Sequence, residues 1–145
     1  MRLAALAALL LALYLPVRAA EFRAGNLLVT QVWSRPTPPV AAAGAVYLSI
    51  LNTGRKPDRL LGLSTPIARK AEIHESRLVQ GVEEMRPVDS VECPPGVAVK
   101  IEPGGLHVML LGLTRPLAAG TQFPLSLRFR DAGTLTVQVA VQAQP

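Results

Sequence analysis

The stretch Leu106-His-Val-Met-Leu-Leu-Gly-Leu113 has the length and apolar content of a β-strand, and it follows the turn signal Pro103-Gly-Gly105. Side chains two residues apart in a strand point to the same face and lie roughly 7 Å apart. His107 and Met109 are therefore predicted to share one face of this strand. Their spacing suits two side chains that converge on one ion.

The chain on either side of this strand repeats the same kind of pattern. The following segments are short, rich in β-branched residues and in several cases strictly alternating, so we predict strands at 27–33, 45–51, 68–74, 97–101, 125–129 and 135–141. Between them lie segments with Pro, which fixes φ, and Gly, which permits positive φ, as tight turns require. No comparable helical period is present. The pattern predicts an all-β domain, either a sandwich or a barrel.

Residues 1–19 have the features of an export signal that is cleaved. Arg2 supplies a short positive region, the segment from Leu3 to Leu15 is apolar, and Val17-Arg-Ala19 is a small-x-small cleavage site. The apolar segment is shorter than the roughly 20 residues that a membrane-spanning helix needs, so a retained anchor is the less favoured alternative. We expect one domain, residues 20–145, in the periplasm or otherwise outside the cytoplasm and not spanning a membrane.

Charge and cysteine content exclude several classes of protein. The formal net charge is +5, but the 15 basic residues are interleaved with 10 acidic ones and lack an aromatic stacking set, so no nucleic-acid site is indicated. Cys93 is the only cysteine, which rules out an intramolecular disulfide. Because it lies in the turn-like segment Glu92-Cys-Pro-Pro-Gly96, we interpret Cys93 as an inert turn residue and not as a metal ligand.

Both histidines of the chain and both methionines beyond Met1 lie close together in the sequence. They are His74, Met85, His107 and Met109. Imidazoles and thioethers are neutral, borderline-to-soft donors, a set that favours Cu(I) over Mg, Ca or Mn. Each residue alone would be interpreted as core packing, but together the four predict a site for one Cu(I) per chain. His74 ends the predicted strand 68–74 and Met85 follows a predicted turn at Glu83-Glu84, so the site would join three segments.

The spacing His-X10-Met-X21-His-X-Met of these residues resembles the copper-binding signature of the periplasmic copper chaperone family PCuAC, also written PCu(A)C. The resemblance covers nearly the whole mature chain, through Trp33-Ser-Arg-Pro36, Ala45–Asn52, Met85–Val88 and Pro103–Leu113. It implies a Greek-key β-sandwich similar to cupredoxins, with one Cu(I) held by the four ligands. It also implies delivery of copper to the dinuclear copper A centre in subunit II of cytochrome c oxidase. Glu83 stands where family members often have a further Met, and the chain has no His/Met-rich tail, so no second metal site is expected.

Other functions are compatible with some of these residues. An electron-transfer cupredoxin would need two His, a Cys and a Met, but Cys93 precedes His107 instead of sharing a short C-terminal loop with the other ligands. A storage or scavenging protein would use the same copper site, and an adhesion-type sandwich would bind no metal. No Gly-x-Ser-x-Gly elbow or comparable nucleophile pattern is present, so we predict a monomeric binding protein and not an enzyme. Another copper-transfer or thiol-reducing protein is a further expected partner.

Overall fold

The computed structural model describes residues 19–143, which contain β-strands and no helix. The strands are β1 Phe22–Ala24, β2 Leu27–Ser34, β3 Ala43–Asn52, β4 Asp58–Ser64, β5 Ala68–Val79, β6 Val82–Val88, β7 Val91–Cys93, β8 Ala98–Ile101, β9 Leu106–Leu113, β10 Gln122–Phe129 and β11 Gly133–Val141. The predicted export signal lies outside the described residues except for its last position. Across residues 19–143, no helix has the length and hydrophobicity to cross a membrane.

The strands pair into a single sheet that closes on itself. Its order is β1-β2-β11-β10-β4-β5-β9-β3-β8, and β2 also pairs with β3, so the seven strands from β2 to β3 along this order form a closed barrel. The all-β prediction is confirmed. The predicted β-sandwich is corrected to a barrel, because the β2–β3 pairing removes the free edges that two separate sheets would have.

The apolar side chains that fill the barrel interior alternate along β10 and β11 with more exposed residues. Phe123, Leu125, Leu127 and Phe129 of β10 are all buried, while the residues between them are more exposed. The inward residues of β11 are Val137, Val139 and Val141, which pack in the same core. Burying a side chain of this size stabilises the fold by about 1.5–3 kcal/mol. This alternation is the property that predicted both strands correctly from the sequence.

The β5–β6 hairpin differs from the sequence prediction. β5 runs through His74 to Val79 instead of ending at His74, and the predicted turn at Glu83-Glu84 is wrong because both residues lie in β6. The turn is Gln80-Gly81, where φ values of 51° and 79° match the two-residue type I′ loop of a hairpin. β6 was missed because it is charged, exposed and interrupted by Pro87, which is tolerated in a strand at the edge of a sheet.

Cys93 is a core residue and not the predicted turn residue. It ends β7, lies opposite Asp58 on β4 and is fully buried. Burial raises the pKa of its thiol to about 11, because a thiolate would lose its hydration there. The side chain is therefore a small neutral hydrophobe inside the barrel.

Candidate metal centre

His74 and His107 face each other across two antiparallel strands. They are directly opposite in the register of β5 and β9, and their ring centroids are 6.0 Å apart. A metal bound about 2 Å from one nitrogen of each ring lies roughly 3 Å from each centroid. The distance between the rings therefore matches a single ion held between them.

The pair lies on the outside of the barrel. The residues adjacent in sequence, Ile73 and Val108, point into the core and are 3% and 0% exposed. Because successive side chains alternate between the two faces of a strand, His74 and His107 point outward. Met109, two residues beyond His107, points to the same side, as the sequence predicted.

Met85 lies on the same outer face, one strand further along. In the β5–β6 register it is opposite Ser76, which is two residues beyond His74. The outer surface of β6, β5 and β9 thus bears all four predicted ligands, and we call it the His/Met face: His74, Met85, His107 and Met109. Exposure varies across this face, since His107 is 6% exposed and Met85 is 59% exposed.

The ring of His107 is held by the turn that precedes its strand. Its Nδ1 donates to the Gly105 carbonyl at 3.0 Å, and because a carbonyl oxygen only accepts, Nδ1 bears the proton of the neutral ring. The other nitrogen, Nε2, is buried and has no hydrogen-bond partner among the described residues. An unsatisfied buried polar atom costs about 1–3 kcal/mol, so its retention needs a reason. Its free lone pair is the feature that a metal ion would use.

Gly104 shapes the turn that presents this carbonyl. Its φ of 88° is a backbone conformation that residues with a Cβ adopt at a cost. The next residue, Gly105, accepts from the Ser76 amide at 3.1 Å as well as from His107, so one carbonyl joins the β5–β6 hairpin to the His107 ring. The geometry of this turn therefore influences the His/Met face on both β5 and β9.

We expect Gly104→Ala to lower the free energy of unfolding by roughly 1–2 kcal/mol, because an L side chain is strained at this φ. Urea-induced unfolding measures the change. Gly105→Ala is the matched control, since its Cβ would meet nothing closer than the Glu102 carbonyl at 3.9 Å, which is ordinary contact. Equal stability of the two variants would contradict the prediction.

Glu72 also lies on the His/Met face, although no role for it was predicted from the sequence. Its carboxylate lies 2.9 Å from His74 Nε2 and also pairs with Lys70. The hydrogen bond from His74, followed by that from Lys70, lowers the pKa of the Glu72 carboxyl below its ordinary value. Its position two residues before His74 in the predicted strand 68–74 was the available signal, because both side chains then share one face of that strand.

Two aromatic rings extend the outer surface beyond β9. Trp33 and Tyr47 are opposite each other on β2 and β3, with centroids 4.9 Å apart, and the guanidinium of Arg35 lies within 6 Å of both rings. A bulge at Gln31, with a φ of 54°, shifts the register so that Trp33 points outward. These rings are packed against each other and contribute buried area beside the His/Met face.

Comparison with known proteins gives a family match and a curated relative. The family model described as "Putative lipoprotein LpqE-like" matches residues 27–141. "Putative lipoprotein Lxx21020" of Leifsonia xyli subsp. xyli is 33% identical over 125 residues, which cover 83% of this chain and 72% of that protein.

Solved structures with this fold include copper-bound proteins. The copper-bound PCuAC domain from PmoF2 has a TM-score of 0.73 at 25% identity, with 87% of this chain and 99% of that chain covered. The solution structure of CuI-DR1885 from Deinococcus radiodurans has a TM-score of 0.58 at 28% identity, with 77% and 75% covered. Both of these structures contain copper, and their folds match the barrel described above.

Proposed function

Because this chain belongs to the LpqE-like family, which is the PCuAC family of copper-binding domains, we propose that it is a copper metallochaperone that works outside the cytoplasm. The observation that supports this most directly is the facing pair of His74 and His107, with a buried Nε2 that the described residues leave unpaired. A metal ion would satisfy that atom. The copper in the related PmoF2 and DR1885 structures indicates which metal to test first.

The proposed site holds one Cu(I) through His74, Met85, His107 and Met109. Two imidazoles and two thioethers are neutral ligands of borderline-to-soft character, which suit Cu(I) better than hard divalent cations. The register of β6, β5 and β9 supports this set, since it gives the four residues a common outer face. Cys93 is not part of it, because its thiol is buried inside the barrel, and this also argues against a blue-copper electron-transfer site.

The gradient of exposure across the His/Met face suggests how copper would leave. Met85 is 59% exposed and lies on an edge strand, so it is the ligand that an incoming acceptor would displace first. His107 is buried and would release the ion last. Stepwise exchange of this kind runs downhill when the acceptor offers thiolates, which bind Cu(I) more strongly than thioethers and imidazoles do. We propose the copper A centre of cytochrome c oxidase subunit II as the recipient.

A transfer experiment tests this role. We expect that mixing the Cu(I)-loaded protein with the reduced, copper-free copper A domain moves most of the copper to that domain, as measured by metal analysis after the two proteins are separated. The His107→Ala variant should deliver less copper. If the protein retains all its copper at equilibrium, delivery is refuted, and storage or scavenging becomes the better account of the site.

The remaining parts of the proposal concern location and partners. We propose that residues 1–19 are removed on export and that residues 20–145 act as one monomeric domain in the periplasm. The Leifsonia relative is named a "Putative lipoprotein", and that name supports export. A second copper-transfer protein or a thiol-reducing protein would load the site or keep its acceptor reduced.

A further inference from the structure

Strands β5 and β9 of the His/Met face each contribute a histidine and a residue two positions away from it. On β9 the second residue is Met109, a proposed ligand. On β5 it is Glu72, which lies directly opposite Met109 in the strand register and has a side chain 21% exposed. A carboxylate is a poor ligand for Cu(I), so its place beside the site needs a different explanation.

We infer that Glu72 is a positioning residue that fixes the tautomer of His74, so that copper binds His74 through Nδ1 and His107 through Nε2. The inference rests on the proposed copper function and deepens it. It assigns a role to a residue outside the four ligands and a coordinating atom to each ring.

The hydrogen bond between Glu72 and His74 determines which ring nitrogen bears the proton. The carboxylate of Glu72 is paired with the Lys70 ammonium, which favours its ionised form. An ionised carboxylate only accepts hydrogen bonds, so His74 Nε2, at 2.9 Å, must be the donor. The lone pair of the neutral His74 ring is then on Nδ1, and this atom is the one available to a metal.

His107 is held in the opposite tautomer by a different acceptor. Its Nδ1 donates to the Gly105 carbonyl, which leaves the lone pair on Nε2. One ring is thus oriented by a side-chain carboxylate and the other by a backbone carbonyl. Both arrangements are common behind metal-bound histidines, because the acceptor fixes the ring and raises the basicity of the opposite nitrogen.

Loss of the Glu72 carboxylate should weaken copper binding without removing a ligand. Replacing a group that orients a metal-bound histidine typically lowers metal affinity about 10–100-fold. We expect Glu72→Ala to fall in that range and Glu72→Gln, which keeps an acceptor oxygen, to lose less. Glu75→Ala is the matched control, since Glu75 lies on the same strand, faces the other way and pairs with Arg86 at 3.6 Å. Its Cu(I) affinity should be unchanged.

Nitrogen-15 NMR of the imidazole rings tests the assignment before any copper is added. In the copper-free protein we expect the proton on Nε2 of His74 and on Nδ1 of His107. In Glu72→Ala, His74 should populate both tautomers while His107 keeps its own, a change that a general loss of stability would not produce. A His74 proton on Nδ1 in the wild type, or spectra of Glu72→Ala identical to the wild type, would overturn the inference.

Addition of Cu(I) separates failure of the inference from failure of the proposed function. We expect copper to shift the Nδ1 signal of His74 and the Nε2 signal of His107. A copper-dependent shift at Nε2 of His74, or a higher affinity in Glu72→Ala, would leave the copper site standing and show that Glu72 competes with the metal. Complete absence of Cu(I) binding would refute both the proposed function and the proposed coordination of copper by the two rings. It would do so whichever tautomers the copper-free protein contains.

Discussion

Replacing His107 with alanine is expected to weaken Cu(I) binding by at least about 100-fold, more than the loss of a group that only orients a ligand. His107 is the buried member of the proposed site, and its Nε2 has no partner within residues 19–143 other than the proposed metal. A titration under reducing conditions against a competing Cu(I) chelator measures the change. His74→Ala, Met85→Ala and Met109→Ala should each weaken binding as well, with the smallest effect for the exposed Met85.

Two further variants make the His107 result specific. Ser76 lies on the same face between His74 and Met85. The Ser76→Ala variant should bind Cu(I) normally. His107→Leu should also lose copper, but its copper-free form should be about as stable as the wild type, because removal of the unsatisfied buried Nε2 offsets loss of the hydrogen bond from Nδ1 to the Gly105 carbonyl. Tight, stoichiometric binding that persists in His107→Ala would contradict the assignment of this residue.

Replacing Asp58 with alanine is expected to lower the free energy of unfolding by about 3–4 kcal/mol. This buried carboxylate begins β4 and accepts three backbone hydrogen bonds, from Arg59 at 2.7 Å, Asp131 at 3.0 Å and Ala132 at 2.9 Å. It thereby ties β4 to the β10–β11 turn. In the alanine variant the amides of that turn would lose their acceptor, and guanidinium-induced unfolding would measure the cost.

The matched control is Asp131→Ala, which keeps its backbone donor to Asp58 and loses only an exposed pair with Arg130. Exposed ion pairs contribute about 0–1 kcal/mol, so this variant should be nearly as stable as the wild type. A comparable loss of stability in both variants would mean that the carboxylate of Asp58 is not the feature that holds the turn.

Asp58 should also make stability depend on acid pH. Burial by itself raises the pKa of this carboxyl, but the backbone donors of Asp131, Arg59 and Ala132, with the charge of Arg130, outweigh burial and lower it. A lowered folded-state pKa adds stability that is fully present above the unfolded value of about 3.9 and is lost as pH falls through the folded value. Below about pH 4, the wild type should therefore lose stability more steeply than Asp58→Ala.

Local pattern was enough for the all-β class and for much of the secondary structure, but not for the choice of a barrel over a sandwich. The predicted strand Leu106–Leu113 has the same bounds in the structure, and the predicted strands 125–129 and 135–141 lie within β10 and β11. These features are predictable because the period of two is a property of each strand alone. Strand β4 was missed because its buried Leu60 is followed by Leu61 and Gly62, without alternation or β-branching.

The donor chemistry of the candidate site and, through the ligand spacing, the resemblance to a copper-binding family were also predictable from the sequence. Side-chain type and order along the chain are sufficient for both. The common face of His107 and Met109 followed as well, because it depends only on the geometry of one strand.

The pairing of strands that are distant in sequence could be read only from the three-dimensional structure. Closure of the barrel between β2 and β3, the opposition of His74 and His107, and the burial of Cys93 all depend on register between separate segments. The same is true of Glu72, whose nearness to the ligands on β9 depends on the register that places it opposite Met109. Register is set by the packing of the whole core, since a shift by one residue would turn every inward side chain outward. No segment of the sequence contains that information alone.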